Sequence, residues 1–149
     1  MSSPDGEQPL RERVEQALGA VLDPCSVFNG TRFNLVELGM VQRITAADDG
    51  RVTVRLLLDD PICLYVAEIH ARVRDAVLAV SGVAEADIEF SGDEIWTMDR
   101  ASEPVRATML ERREQLRQRA LMRRRSAADA ATPASAPLAG AGRAHTAPR

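Results

Sequence analysis

The sequence predicts an α+β domain: a small three-stranded mixed sheet packed by helices, in the order helix, strand, strand, helix, strand, helix. Three observations carry this. Apolar residues recur at helical spacing over 10–22 and again over 61–80. Asp48-Asp49-Gly50 separates two strand-like runs, a hairpin signal. Residues 83–90 alternate apolar and acidic, the pattern of a half-buried strand. A helix between the second and third strands makes a crossover, expected to be right-handed if those strands are parallel.

The first helix rests on Leu10, Val14, Ala17, Leu18, Val21 and Leu22, with Arg11, Arg13, Glu15 and Gln16 opposite. Pro24 ends it at Asp23. Asp23-Pro24-Cys25-Ser26 and the turn signal Asn29-Gly30 read as a loop. Gly39, inside the apolar run 35–41, marks a bend or a close backbone approach. Strands follow at 41–46 and 51–58, and Leu56-Leu57-Leu58 suggests burial on both sides. The helix over 61–80 presents Val66, Ile69, Val73, Val77 and Val80, and Gly82 closes it. In the last strand Ala86, Ile88 and Phe90 point inward. A final helix begins after Ser102, docks through Val105, Met109 and Leu116, and becomes arginine-rich from Arg112.

The expected organisation is a disordered 1–7, a domain over 8–110, an Arg-rich helical extension over 111–125 and a disordered tail over 126–149. All 19 basic residues are arginine. Residues 1–99 carry 8 of them against 18 acids, and residues 100–149 carry 11 against 4. An acidic body with a basic arm suits folding back or an acidic partner. The arm lacks interleaved aromatics and the pI is about 5.4, which disfavours a nucleic-acid role. No apolar run reaches membrane-spanning length, and the polar, acidic N-terminus is unlike a signal peptide, so a cytoplasmic protein is expected. There, Cys25 and Cys63 are expected to be free, metal-binding or redox-active rather than a structural disulfide.

Asp59-Asp60-Pro61-Ile62-Cys63 is the stretch richest in chemistry. Asp60 reads as an N-cap and Pro61 as the first helical residue. Cys63 would then lie at the positive end of a helix, which favours a thiolate, while Asp59 and Asp60 oppose it unless a cation is bound. His70 follows seven residues later, about 10 Å along a helix, too far to share one ion with Cys63. No nucleophilic triad, phosphate-binding glycine loop or zinc-hydrolase spacing is present, and catalysis is not the reading the residues favour.

Four segments over about residues 10–110 together resemble the SufT/PaaD-like family of metal–sulfur cluster assembly proteins. They are Val21-Leu22-Asp23-Pro24, Leu35-Val36-Glu37-Leu38-Gly39-Met40-Val41, the strand end from Leu56 to Cys63, and Gly82-Val83 with Trp96-Thr97-Met98-Asp99 leading to Arg106. The chain departs from the family pattern in carrying Cys25 where Glu is usual, and Asp59 and Leu64 where Thr and Pro are usual near the cysteine. The resemblance implies an accessory factor in assembling iron–sulfur clusters or delivering them to a client apo-metalloenzyme, with multicomponent oxygenases among the clients of some relatives. The cargo implied is a labile iron–sulfur cluster or iron, held by Cys63 with Cys25, with Asp23, Glu37, Asp59 and Asp60 as supporting acids. Two thiols fall short of the four ligands a cluster takes, so a symmetric homodimer or an exogenous ligand completes the set. Trp96, Arg106, Arg112 and Arg113 are candidates for docking a client or the assembly machinery. Two other readings stay open: a metal-free adaptor that docks on a client enzyme, and a dithiol redox protein.

Overall fold

The structure, a computed structural model, describes residues 9–131. The expected disorder of 1–7, the tail from 132 and His145 lie outside them. Helix α1 spans Leu10–Leu18, α2 Pro24–Asn29, α3 Val66–Leu78 and α4 Glu103–Ala131. Strands β1 (Val41–Ala46), β2 (Arg51–Leu56) and β3 (Glu85–Phe90) form one sheet in that order. The chain is α+β with a three-stranded mixed sheet. β1 and β2 pair antiparallel, β2 and β3 pair parallel, and α3 makes the crossover between the parallel pair. Residues up to Leu110 form one compact unit and those from Glu111 a second.

The hairpin follows its local chemistry. Gly50 takes φ +84°, which the turn requires, and its N–H donates to Ala47 O at 3.0 Å. The Asp49 carboxylate accepts from the Arg51 N–H at 3.0 Å. The core lies on one face of the sheet. Val52, Val54 and Leu56 of β2 are fully buried against Val14 and Leu18 of α1 and Val73 and Val77 of α3. Each such side chain contributes about 1.5–3 kcal/mol through lost apolar exposure. Leu57 is also fully buried, so the strand end is enclosed on both faces even though the ladder stops at Leu56. On β3 only Ala86 is fully enclosed, while Ile88 and Phe90 are half-buried and Glu85, Asp87 and Glu89 face water.

Several expectations are corrected, among them the end of the first helix, which stops at Leu18 rather than at Asp23. The loop expected at 23–30 contains α2. The helix expected from residue 61 starts at Val66. Ile62 and Leu64 lie exposed, so an earlier helical turn would gain little from them, and short helices persist mainly through packing. At the other end, α4 continues to Ala131, beyond the 125 expected; Val105 is buried and Met109 packs on the core, whereas Leu116 is exposed. No helix of the described residues is long and apolar enough to cross a membrane.

At Gly39 two backbone segments approach closely. Its φ is +67°, and a Cβ there would lie 2.1 Å from the Arg100 carbonyl oxygen. Arg100 returns the contact, its Nε donating to Gly39 O at 3.0 Å. The segment after Trp96 is thereby held against the end of the 35–40 loop.

Candidate functional site

Asp23 begins the site. It is the N-cap of α2, its carboxylate accepting from the Ser26 N–H at 2.7 Å, and Pro24 occupies the first helical turn. Gly30, at φ +83°, ends the helix in the left-handed conformation. The buried Ser26 hydroxyl lies 2.8 Å from Asp23 O and 2.9 Å from Phe33 O, donating to either. A single antiparallel bridge, Leu22 to Asn34, closes the neck of this excursion, with Asp23 N–H donating to Phe33 O at 2.9 Å. Cys25 is thus the second residue of a short helix fixed at both ends.

Cys63 arrives on a different support. Past β2, the Asp60 carboxylate accepts from the Ile62 N–H at 2.8 Å, and the Cys63 N–H donates to Asp60 O at 3.2 Å. Asp60 therefore caps an isolated turn rather than α3, whose N-cap is Tyr65. The expected place of Cys63 at the positive end of a helix is corrected accordingly: it precedes α3 by three residues.

The two thiols meet in a cleft of about 120 Å³ lined by Asp23, Cys25, Asp59, Cys63 and Trp96 and floored by apolar side chains including Met40 and Ile69. Cys25 and Cys63 both line the cleft, near enough for Cys63 to bear on the ionisation of Cys25. Both cysteines are free, Cys63 half-buried and Cys25 more open. Partial burial of its sulfur, then the charge of Asp23, then Cys63 and Asp59, push the Cys25 thiol above its ordinary value. The carboxylates that keep this thiol protonated are the groups that would attract a cation.

Asp23 is itself shifted upward, first by desolvation and then, against the Ser26 hydrogen bond, by the charge of Asp59. The native state therefore holds this proton more tightly than the unfolded chain does. The stabilisation is present at acid pH and is lost as pH rises through the folded value, so ionised Asp23 is a burden near neutrality. Asp23→Asn keeps an acceptor for Ser26 and removes the charge. Its denaturation midpoint relative to wild type should be higher at pH 7 than at pH 4. Asp23→Ala, which loses the cap, should be destabilised by about 0.5–2 kcal/mol at both.

Of the remaining candidates, Trp96 also lines the cleft. Glu37 forms a reciprocal pair with Asn34, its carboxylate accepting from the Asn34 N–H at 3.1 Å while its own N–H donates to Asn34 Oδ1 at 2.8 Å. Asp60 is occupied with its turn. Neither is among the residues that line the cleft. Trp96 forms a wall, its indole N–H donating to Leu38 O. Arg106 donates to Asp99 O at 3.2 Å beside the start of α4. Arg112 and Arg113 are exposed on α4, in the second unit. His70 faces the Phe90 ring, centroids 6.4 Å apart. Residues not singled out in the sequence also line the cleft, among them Ser26, Thr31 and Met109. For Ser26 a signal existed, since it stands three residues after an Asp that precedes proline, the spacing of a cap and its donor.

Among the described residues, no three His, Cys, Asp or Glu side chains converge closely enough to hold a metal ion. The donor set is therefore a pair of thiols with two nearby carboxylates. Thiolates suit iron and iron–sulfur centres, but two cannot complete a coordination shell.

Residues 11–88 match a family described as iron–sulfur cluster assembly protein. An uncharacterised protein of Methanocaldococcus jannaschii is 26% identical over 82 residues, 55% of this chain and 81% of that protein. A conserved hypothetical protein of Thermotoga maritima superposes with a TM-score of 0.59 at 27% identity, covering 73% of this chain and 98% of its own. The crystal structure of a domain of unknown function from Bacillus anthracis gives 0.60 at 20% identity, covering 67% and 91%, a likeness of fold.

Proposed function

The chain belongs to the iron–sulfur cluster assembly protein family, and from that premise we propose that it is an accessory factor that binds iron or a labile iron–sulfur cluster as cargo and hands it to a client apo-metalloenzyme. The observation that supports this best is the meeting of Cys25 and Cys63 in one cleft beside two carboxylates. A two-thiolate hold is weak by design of the ligand count, and a carrier must release what it binds. Asp23 and Asp59 raise the local attraction for a cation without filling the shell. The resemblance to SufT/PaaD-like proteins suggests a multicomponent oxygenase as one class of client. Trp96 at the cleft wall and Arg112 and Arg113 on α4 are proposed to contact the client or the assembly machinery.

Anaerobic addition of ferrous iron and sulfide to the reduced protein should produce visible thiolate-to-iron absorption and bound iron. The double variant Cys25→Ala/Cys63→Ala should show neither. Wild-type protein that takes up no iron would overturn the reading. If that protein instead loses two hydrogens to glutathione disulfide and recovers them with reductant, the thiol pair belongs to a dithiol redox protein.

A further inference from the structure

The cleft carries an apolar rim. Apart from Leu110, the exposed large hydrophobic residues described in the first unit are Val27, Phe28, Ile62, Leu64 and Ile95. All five sit on the segments that build the cleft. Val27 and Phe28 follow Cys25 and Ser26 on α2, Ile62 and Leu64 flank Cys63, and Ile95 precedes Trp96. Phe28 is 85% exposed, Ile62 81% and Leu64 92%. Phe28, Ile62 and Leu64 bury little of their surface in the fold, and such a concentration on the segments that form one cleft marks a docking surface.

We propose that the occupant is a second copy of this chain, joined across a shared iron–sulfur cluster. This rests on the cargo reading above. The argument for a second copy is the ligand count: one chain supplies two thiols, a cluster takes four, and a twofold pairing of one self-complementary patch supplies the other two. Charge makes the pairing conditional. Asp23 and Asp59 line the opening and Asp60 adjoins it, so two empty copies would bring like charges together. Iron between them reverses the sign. The cargo-free chain is therefore a monomer, and the loaded form a dimer with its apolar rims buried around the cluster. Binding is a ligand exchange with no change of oxidation state. Each thiol gives its proton to solvent and its sulfur electron pair to iron, displacing a small thiol that leaves with a proton from solvent.

The test is sedimentation equilibrium of the full chain before and after transfer of a preformed [2Fe–2S] cluster carried on glutathione. A mass that doubles on transfer, with one cluster per two chains and reversal on chelation, is expected. Leu64→Asp, at a side chain that touches little of its own fold, should keep its circular dichroism and melting profile while the loaded dimer weakens at least tenfold. Loaded protein that stays one chain per cluster overturns the dimer and leaves the cargo reading standing. A dimer of the same mass before loading overturns the charge-gated form. Failure to take up any cluster or iron overturns both readings.

Discussion

Gly39→Ala should unfold a large part of the population at temperatures where the wild-type chain is stable. Two effects add. An alanine held at the φ of +67° is strained by about 1–2 kcal/mol. Its Cβ would also lie 2.1 Å from the Arg100 carbonyl oxygen, a backbone atom that cannot swing aside. Overpacking of that kind adds about 1–3 kcal/mol, and domains of this size have only about 5–15 kcal/mol in reserve. Gly30→Ala is the control. Its φ is +83°, yet nothing lies within 4 Å of the added Cβ, so only the backbone strain of about 1–2 kcal/mol applies. Urea denaturation of the two variants separates the terms. Equal losses would show that the close approach at Arg100 is not what demands glycine.

The second large effect concerns Cys63. Cys63→Ala should lower bound iron at least tenfold and remove most of the charge-transfer absorption, since it leaves a single thiol in the chain. Its effect on folding should be slight, because the residue is half-buried and its backbone, not its sulfur, makes the turn. Cys25→Ser should weaken loading to a similar degree, and wild-type loading should strengthen as pH rises. Burial and the Asp23 charge keep the Cys25 proton in place near neutrality, so iron must displace it, and alkali does part of that work. Iron content measured over a pH series, with circular dichroism at each point, checks both statements. Undiminished binding by Cys63→Ala would remove the thiol pair from the function.

Much of the fold was legible because local and global signals agreed. Asp48-Asp49-Gly50 asks for a turn, and the strands on either side have the right faces to bury. The acids of β3 alternate with apolar residues, so only one register hides the latter. The site was harder to read because the chain contains two Asp-Pro pairs with the same local preference. At Asp23-Pro24 the cap and first-turn proline start a helix, because Ser26 supplies a buried hydroxyl to close it and Gly30 supplies the exit. At Asp60-Pro61 the same pair makes only a turn, because Ile62 and Leu64 find no apolar surface. Helix-start chemistry thus lies at Cys25, not Cys63. That the two cysteines share one cleft depends on where two loops end in space, which no spacing along the chain encodes. Glu37 illustrates the converse: it lies in a segment that resembles the family motif, but its carboxylate is committed to the Asn34 backbone.

The single rung between Leu22 and Asn34 has a consequence for how such a protein can change over generations. Everything distal to that rung is a cassette hung from a fixed clasp. Its contents can be exchanged, one donor atom for another or a short helix for a longer one, while the sheet beneath keeps its register. New linings for the cleft can therefore arise by rewriting a dozen or so letters, with the frame inherited untouched.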